Sequence, residues 1–506
     1  MIGDSLSRLS FAIRTPQSAM SLFSDLKWRG LIHQTTNDAG LDAWLAEKPR
    51  TLYAGFDPTA SSLHVGSLMG LLMLRRFQKA GHRPIAVVGG ATGMIGDPSG
   101  KSDERNLLSK EDLQANVDGM GRQMARFLDF EPGSCQALLV NNFDWTGSWT
   151  YLDFLRDIGK NFPVNVMLAK DSVKSRLARS QNVMQAKDSV KSQLAKVQQA
   201  FEVKPMQSTE SETVLGPAAA KAQDNKAEYE GHVTEVQSKI DSIGGMSYTE
   251  FSYMLLQAYD FVYLSDKYGC ELQAGGSDQW GNITAGIDLA RRMRGTQLYG
   301  LTWPLLTKSD GTKMGKTESG AVWLAADRTS PYQFYQYWIN VDDADAGKCL
   351  RLLTELSHEE IEALDASRET DPGKRESQRR LAEELTKIVH GEVAVATVQK
   401  ATEIFFGAEI NNLSDQQLTE IFADVPSKTL SRSRLSDGLN IVDALVESNL
   451  AKSKGDARRA VEHGGAYINN RRIEKIDTLL TAEHLASETV MVLRSGKKKY
   501  ALLRFQ

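Results

Sequence analysis

Residues 51–90 read TLYAGFDPTASSLHVGSLMGLLMLRRFQKAGHRPIAVVGG, and the architecture follows from this stretch. Its first six residues, Thr51–Phe56, read as a strand running into a glycine turn at Gly55. Leu68–Lys79 then spaces its apolar residues as a buried helix does. Residues 84–89 are a short apolar run, suited to a parallel strand covered on both faces. Strands and helices keep alternating to about Gln333. This predicts an α/β fold, a parallel sheet with helices on both sides. In such sheets ligands bind at the carboxyl ends of the strands. The glycine-rich turns at Gly55, 89–96 and 275–281 each follow an apolar run, which puts them at those ends.

The chain has 506 residues, and at ~150 per domain it holds roughly three domains. No run of ~18 uninterrupted apolar residues occurs, so no membrane span is expected. Cys135, Cys270 and Cys349 are scattered, without metal-ligand spacing, and read as structural thiols of a reducing compartment. Net charge is -4, which argues against general affinity for nucleic acid. The charge is uneven, however. Residues 431–506 hold 14 basic against nine acidic side chains, a local +5 that leaves -9 for the rest. A basic tail on an acidic body suggests local binding of a polyanion.

Three segments stand apart from the sheet. Residues 1–25 are an N-terminal extension whose first twenty contain Arg8, Arg14, several serines and a single acid, Asp4. That composition suits an organellar presequence or a plain extension. Residues 165–178 (NVMLAKDSVKSRLA) recur as 182–195 (NVMQAKDSVKSQLA), differing only at Leu168/Gln185 and Arg176/Gln193, a local tandem duplication. From 181 to about 244 the chain is polar and poor in aromatics. It reads as a surface insertion whose replacement by a short turn should leave catalysis intact. From 331 to about 428 helical periodicity dominates, as in 359–364 and 378–389, giving a separate helical domain. A polar link, 426–433, precedes the basic domain at 435–506.

Two clusters carry chemistry. In the first, His64 and Gly66 stand at the start of a helix, where free amides and a partial positive charge favour a phosphate. By itself an imidazole there is an ordinary cap. The second is Lys313–Thr317, KMGKT, in the polar stretch 307–320. Two lysines three apart on a loop can close over a polyphosphate. Exposed Lys-x-x-Lys is also common on solvated turns, and the upstream glycine spacing of a Walker loop is missing.

Taken together and in order, the clusters resemble the signatures of the class I aminoacyl-tRNA synthetases, specifically the bacterial-type tyrosyl enzymes. His64-Val65-Gly66-Ser67 stands where that family carries HIGH, with Ser67 in place of the second histidine. Lys313-Met314-Gly315-Lys316-Thr317 resembles KMSKS. WRGL at 28–31, GGATGMIGDPSGK at 89–101, TEFSYMLLQAYDF at 249–261 and GGSDQWGNITAG at 275–286 extend the resemblance over nearly the whole chain from Leu26.

The resemblance implies a Rossmann-type catalytic domain at 26–330, interrupted at 181–244, and a helical anticodon-recognition domain at 331–428. A small α+β RNA-binding domain follows at 435–506. It implies ATP as a substrate with Mg²⁺ on its phosphates, L-tyrosine and tRNA(Tyr) as the other substrates, a homodimer and no resident metal. His64, Thr59, Lys313, Lys316, Lys101 and Arg105 would act on the phosphates. Asp57, Gly66, Ser67, Gly276, Asp278 and Thr317 would complete the ATP site. For the amino acid, the resemblance assigns Tyr53 and Asp260 to the phenol, Asp97, Tyr253 and Gln257 to the ammonium, and Gln279 to the carboxylate, with Gly55 beside them. Tyr253, Gln257 and Asp260 follow i, i+4, i+7 spacing and share one helix face. Attack of a carboxylate on the α-phosphorus needs no general base, so positioning and charge stabilisation carry the rate.

In the basic domain Lys452, Lys454, Arg458, Arg459, Arg471, Arg472, Lys497, Lys498 and Lys499 are the expected phosphate contacts to tRNA. A bacterial-type body with a presequence-like start suggests the mitochondrial matrix, with the cytoplasm as the alternative. Two other readings stay open: a tryptophanyl enzyme, and a non-catalytic RNA-binding protein on a synthetase scaffold. Tyr53 and Asp260 favour a phenol over an indole, which offers only an N–H.

Overall fold

The computed structural model describes residues 20–97, 110–170, 173, 174, 177, 178, 247–317, 320–411, 413–422 and 424–506. Residues 1–19, Lys101, Arg105 and the whole insertion 181–244 with its second repeat copy lie outside the described residues. Contacts group the chain into two units. One comprises residues 62–69, 122–127 and 306–506, and the other comprises the rest up to 305.

In the unit ending at 305, six strands form one sheet: β1 (Gln34–Thr35), β2 (Thr51–Phe56), β3 (Arg83–Val88), β4 (Leu138–Asn141), β5 (Cys270–Gly276) and β6 (Tyr299–Trp303). Their order is β1-β6-β5-β2-β3-β4, parallel throughout except for β1 on β6. From central β2 the chain winds outward through β3 and β4, then returns to lay β5 and β6 on the other side. Such a reversal opens a crevice at the carboxyl ends of the two strands flanking it, here β2 and β5. The expected parallel α/β sheet is thus present. β3 is buried from Pro84 to Val88, as an unbroken apolar run requires. Helix Leu68–Lys79 crosses from β2 to β3 at the bounds its periodicity predicts.

One expected turn is a helix. Residues 89–96 contain the short helix Gly90–Ile95, packed so tightly on β4 that a Cβ at Gly90 would fall 2.1 Å from Oδ1 of Asn141. The glycines there serve close approach as well as turning.

The second unit opens with a small ribbon, β7 (Lys316–Thr317) against β8 (Gly320–Ala321). Five helices follow: Pro331–Ile339, Asp343–Leu353, His358–Thr370, Glu376–His390 and Glu392–Phe405. The fourth is central and touches the other four. It buries Leu381, Ala382, Leu385 and Val389, the stripe that a 3.6-residue period sets on one face.

The remaining strands are β9 (Ser427–Leu430), β10 (Leu439–Asn440), β11 (Ala466–Ile468), β12 (Arg471–Arg472), β13 (Leu479–Leu480), β14 (Val490–Ser495) and β15 (Lys499–Phe505). Five of them form a sheet in the order β12-β11-β14-β15-β9, while β10 pairs with β13. β14 alternates cleanly. Met491 and Leu493 face a core with Ile441, Leu445 and Val461, and Val490 and Val492 face Ile404, Leu418 and Phe422. The sheet is therefore covered on both sides, and helix Asp415–Ile421 packs on the second face. The residues read as a polar link, 426–433, contain β9, which runs parallel to β15. Ser427, Lys428 and Thr429 are exposed and only Leu430 is buried, so its composition gave no strand signal.

Candidate active site

At the carboxyl ends of β2 and β5 lies a cavity of about 170 Å³. Tyr53, Gly55, Asp97, Tyr253, Gln257, Asp260 and Gln279, the whole set that the resemblance assigned to tyrosine, line it, as do Asp57 and Gly276. Helix Tyr248–Tyr268 supplies three of them from one face. It begins with a capping box, in which Ser247 accepts from the Glu250 N–H and the Glu250 carboxylate accepts from the Ser247 N–H.

The phenol end is the most buried part. Asp260 accepts from Trp145 Nε1 at 2.8 Å and from Asn142 Nδ2 at 3.0 Å. The Asn142 amide is itself fixed, because its oxygen accepts from the Ala91 N–H at 2.7 Å and its nitrogen also donates to Thr92 Oγ1. Burial pushes the Asp260 carboxyl up to about 7, against the pull of the Asn142 and Trp145 bonds. Tyr53, 2% exposed, meets Phe261 edge to face, and its hydroxyl has no hydrogen-bond partner among the described residues. Burial first, then the Asp260 charge, raises its pKa well above the ordinary tyrosine value, so the hydroxyl stays protonated. A buried hydroxyl without a partner beside a carboxylate with spare lone pairs is the donor–acceptor pair a phenol would complete.

At the other end of the cavity Gln279 ties the polar groups together. Its amide donates to Asp97 at 2.6 Å and accepts from Gln257 and Asn282, each at 3.2 Å. Oε1 of Gln257 and of Gln273 are buried without a partner among the described residues. Asp278 immediately precedes Gln279 in the short 3-10 turn Ser277–Gln279, its carboxylate against Gly276, where a Cβ would fall 2.6 Å from Oδ1. Thr59 is exposed in the turn after β2. Asn142, Trp145 and Gln273 were not anticipated from sequence. An asparagine after an apolar run carries no signal of its own, and only tertiary packing brings it to Asp260.

In the second unit the two signatures belong to one hydrogen-bonded assembly. His64 forms an antiparallel bridge with Trp323, the Val65 N–H donates to Val322, and the Val322 N–H donates to Gly315. Nδ1 of His64 accepts from the Gly66 N–H at 3.0 Å, which leaves the ring proton on Nε2, free to donate outward. Although the ring is open to solvent at its edge, surrounding protein and then the Lys316 charge draw its pKa below the ordinary value, so it is neutral at pH 7. Lys313 and Lys316 are exposed while Met314 between them is buried. Gly315 has φ +86°, and a Cβ there would meet Val65 at 2.8 Å, so only glycine fits between the lysines. Gly66 and Ser67 begin the helical segment, and Thr317 continues the chain into β7.

All nine predicted tRNA contacts are exposed. Lys454 pairs with Asp443 at 2.6 Å, Arg471 with Glu409 at 3.1 Å, and Arg459 with Asp456. Such exposed pairs contribute little to stability and exchange readily for phosphate.

Known proteins match the chain along its length. The family model of tRNA synthetases class I (W and Y) matches residues 45–210 and 223–407. That of the tyrosine–tRNA ligase SYY-like C-terminal domain matches 417–503. The tyrosine–tRNA ligase of Rhodopirellula baltica is 53% identical over 493 residues, covering 97% of this chain and 98% of that protein. That of Roseiflexus castenholzii is 48% identical over 485 residues, covering 96% and 99%. Among solved structures, a C-terminally truncated mitochondrial tyrosyl-tRNA synthetase from Aspergillus nidulans superposes with TM-score 0.57 at 26% identity, covering 77% of this chain and 95% of its own. A class I model over most of the catalytic and helical regions, its own C-terminal model and end-to-end relatives agree: the chain belongs to the tyrosine–tRNA ligases, class I aminoacyl-tRNA synthetases that use ATP.

Proposed function

We propose that the residues described above divide the reaction into a phenol-reading pocket and a phosphate-handling assembly. Tyr53 donates to, and Asp260 accepts from, the hydroxyl of L-tyrosine. Asp97, Tyr253 and Gln257 receive its ammonium group, and Gln279 stands near its carboxylate. That carboxylate attacks the α-phosphorus of ATP, the bond to the bridging oxygen breaks, and pyrophosphate leaves. His64 donates from Nε2, Thr59 donates from its hydroxyl, and Lys313 and Lys316 offset the charge growing on the phosphates. Lys101 and Arg105 join them on the resemblance alone. Asp57, Asp278, Gly276, Gly66, Ser67 and Thr317 complete the ATP site, and Mg²⁺ arrives on the β- and γ-phosphates.

The observation that carries this reading is the buried Tyr53 hydroxyl, without a partner among the described residues and lining the same cavity as Asp260. Phenylalanine would leave the Tyr53 hydroxyl unpaired and the Asp260 carboxylate one donor short, so discrimination of ~10⁴–10⁵ is within reach without editing. Tyrosine-dependent ATP–pyrophosphate exchange, with phenylalanine and tryptophan as competitors, tests it. Exchange driven equally well by either competitor refutes it.

The transfer step then joins tyrosine to the terminal adenosine of tRNA(Tyr), held through phosphates by the exposed lysines and arginines of the C-terminal domain. A homodimer is also proposed. Tyr151, Leu152, Val164, Val166, Leu168 and Tyr248 are large apolar or aromatic side chains left exposed on neighbouring stretches of the first unit, more than a solvated surface needs. The proposed compartment is the mitochondrial matrix, from the basic, serine-rich start, with the cytoplasm as the alternative. Of the relatives named above, the two ligases matched end to end are bacterial and the solved structure is mitochondrial. A fluorescent fusion decides between the compartments.

A further inference from the structure

The loop carrying Lys313 and Lys316 does not hold its shape unaided. Residues 306–314 fold back as a tight ribbon, with the Met314 N–H donating to Leu306 and the Lys308 N–H to Thr312. Two helices of the same unit grip it. Asp345, on helix Asp343–Leu353 and 2% exposed, accepts from the Ser309 N–H at 2.7 Å. Lys348 donates to the Thr307 carbonyl at 2.9 Å, and Cys349 lies 3.5 Å from the Met314 sulfur. Asp345 and Lys348 grip the base of the ribbon, and Cys349 packs on Met314 within the signature.

Besides the Cys349–Met314 sulfur contact, a hydrogen bond from these helices reaches the backbone of the signature itself. Tyr337, on helix Pro331–Ile339, accepts from the Gly315 N–H through its hydroxyl at 2.8 Å. Gly315 lies between the two lysines, and its carbonyl accepts from Val322, which in turn bonds the His64 segment. The ring of Tyr337 packs edge to face on Trp338 with centroids 5.0 Å apart, which fixes where the oxygen sits. Burial pushes the hydroxyl's pKa up to about 12, so it stays neutral.

Beneath the loop lies a cavity of about 690 Å³, lined by Tyr337, Met314, Trp323, Arg328 and Gln336 among others. This cavity matters energetically. If the hydroxyl is removed, water can satisfy the Gly315 N–H, so little stability is lost. What is lost is the fixed direction of the bond, and with it the placement of the flanking lysines.

We propose that Tyr337 is a positioning residue for the activation step, its hydroxyl fixing the Gly315 N–H and through it the stations of Lys313 and Lys316. The inference rests on the phosphate-handling role of those lysines given above. It assigns to the helical region a direct hold on the signature loop.

Tyr337→Phe removes one oxygen and keeps the ring on Trp338, so folding is preserved. In the full-length protein it should slow adenylate formation about two- to tenfold, the range of one neutral hydrogen bond, while tyrosine affinity stays unchanged. A double-mutant cycle with Lys316→Ala separates positioning from a merely structural role. If Tyr337 acts through the lysine loop, its substitution costs much less once Lys316 is gone. An unchanged rate in Tyr337→Phe, a parallel fall in tyrosine affinity, or a full effect retained in the Lys316→Ala background overturns the proposal. Failure of the underlying reading looks different: Lys316→Ala alone would then leave the activation rate at the parent value.

Discussion

Replacing Asn142 by alanine removes one of the two donors that hold Asp260 in its ionised form. The carboxyl sits at about 7 because burial raises it and the Asn142 and Trp145 bonds lower it. A hydrogen bond to a charged group contributes about 1.5–3 kcal/mol, and one pKa unit is 1.36 kcal/mol, so the midpoint should rise by roughly one to two units. The phenol of tyrosine needs an acceptor that Trp145 and Asn142 have already oriented, which the carboxylate provides. Tyrosine affinity in the parent should therefore climb with pH through about 7 and level off above it. At pH 7 the parent is about half ionised and the variant roughly 1–10% ionised, so affinity should be about 5- to 50-fold weaker in the variant. By pH 8.5 the gap should narrow to about fourfold or less.

Equilibrium binding of tyrosine, followed by intrinsic fluorescence or calorimetry from pH 5.5 to 8.5, reads both curves. A parent curve flat across this range, or a deficit in Asn142→Ala that is the same at every pH, refutes the reasoning. Stability of the empty protein should move oppositely. The native state holds this proton more tightly than the unfolded chain, so the group's contribution falls as pH rises from its ordinary 3.8 toward about 7.

Other outcomes follow from the same geometry. Tyr53→Phe removes a buried hydroxyl that has no partner among the described residues, so the melting temperature of the unliganded protein should hold or rise while tyrosine binding weakens by about 1–3 kcal/mol. A fall in both would mean that the hydroxyl has a structural partner. Gly119→Ala places a Cβ 2.2 Å from the Ser61 carbonyl oxygen and should cost about 1–3 kcal/mol in a denaturant melt; an unchanged midpoint contradicts the close packing. On the proposed homodimer, the parent should sediment as a dimer and Leu152→Glu as a monomer; a monomeric parent, or a dimer unaltered by the substitution, contradicts that interface. Changing Lys497, Lys498 and Lys499 together to alanine should leave pyrophosphate exchange intact, weaken tRNA charging and flatten its salt dependence. This substitution is a cleaner probe than truncation at Leu435. Truncation would strip Val490, Val492, Tyr500 and Leu502 from the apolar face of helix Asp415–Ile421.

Much of this protein is written locally in its sequence. β2, helix Leu68–Lys79 and β3 follow from period-2 and 3.6-residue patterns that each segment carries within itself. The seven residues that the resemblance assigns to tyrosine line one cavity, and of these Tyr253, Gln257 and Asp260 share a face by helical arithmetic alone. Tertiary structure decided what depends on distant partners. β9 is a strand because β15, some 70 residues later, offers it an edge, although its own side chains are polar. Asn142 and Trp145 matter because β4 ends where helix Tyr248–Tyr268 brings Asp260, and no spacing within either segment announces it. The acid's pKa, the partnerless Tyr53 hydroxyl and the hold of Tyr337 on Gly315 likewise arise from burial and from pairs far apart in the chain. Local sequence sets conformation through short-range sterics and periodicity. Electrostatics and hydrogen-bond satisfaction are properties of the packed interior and exist only once the chain has closed on itself.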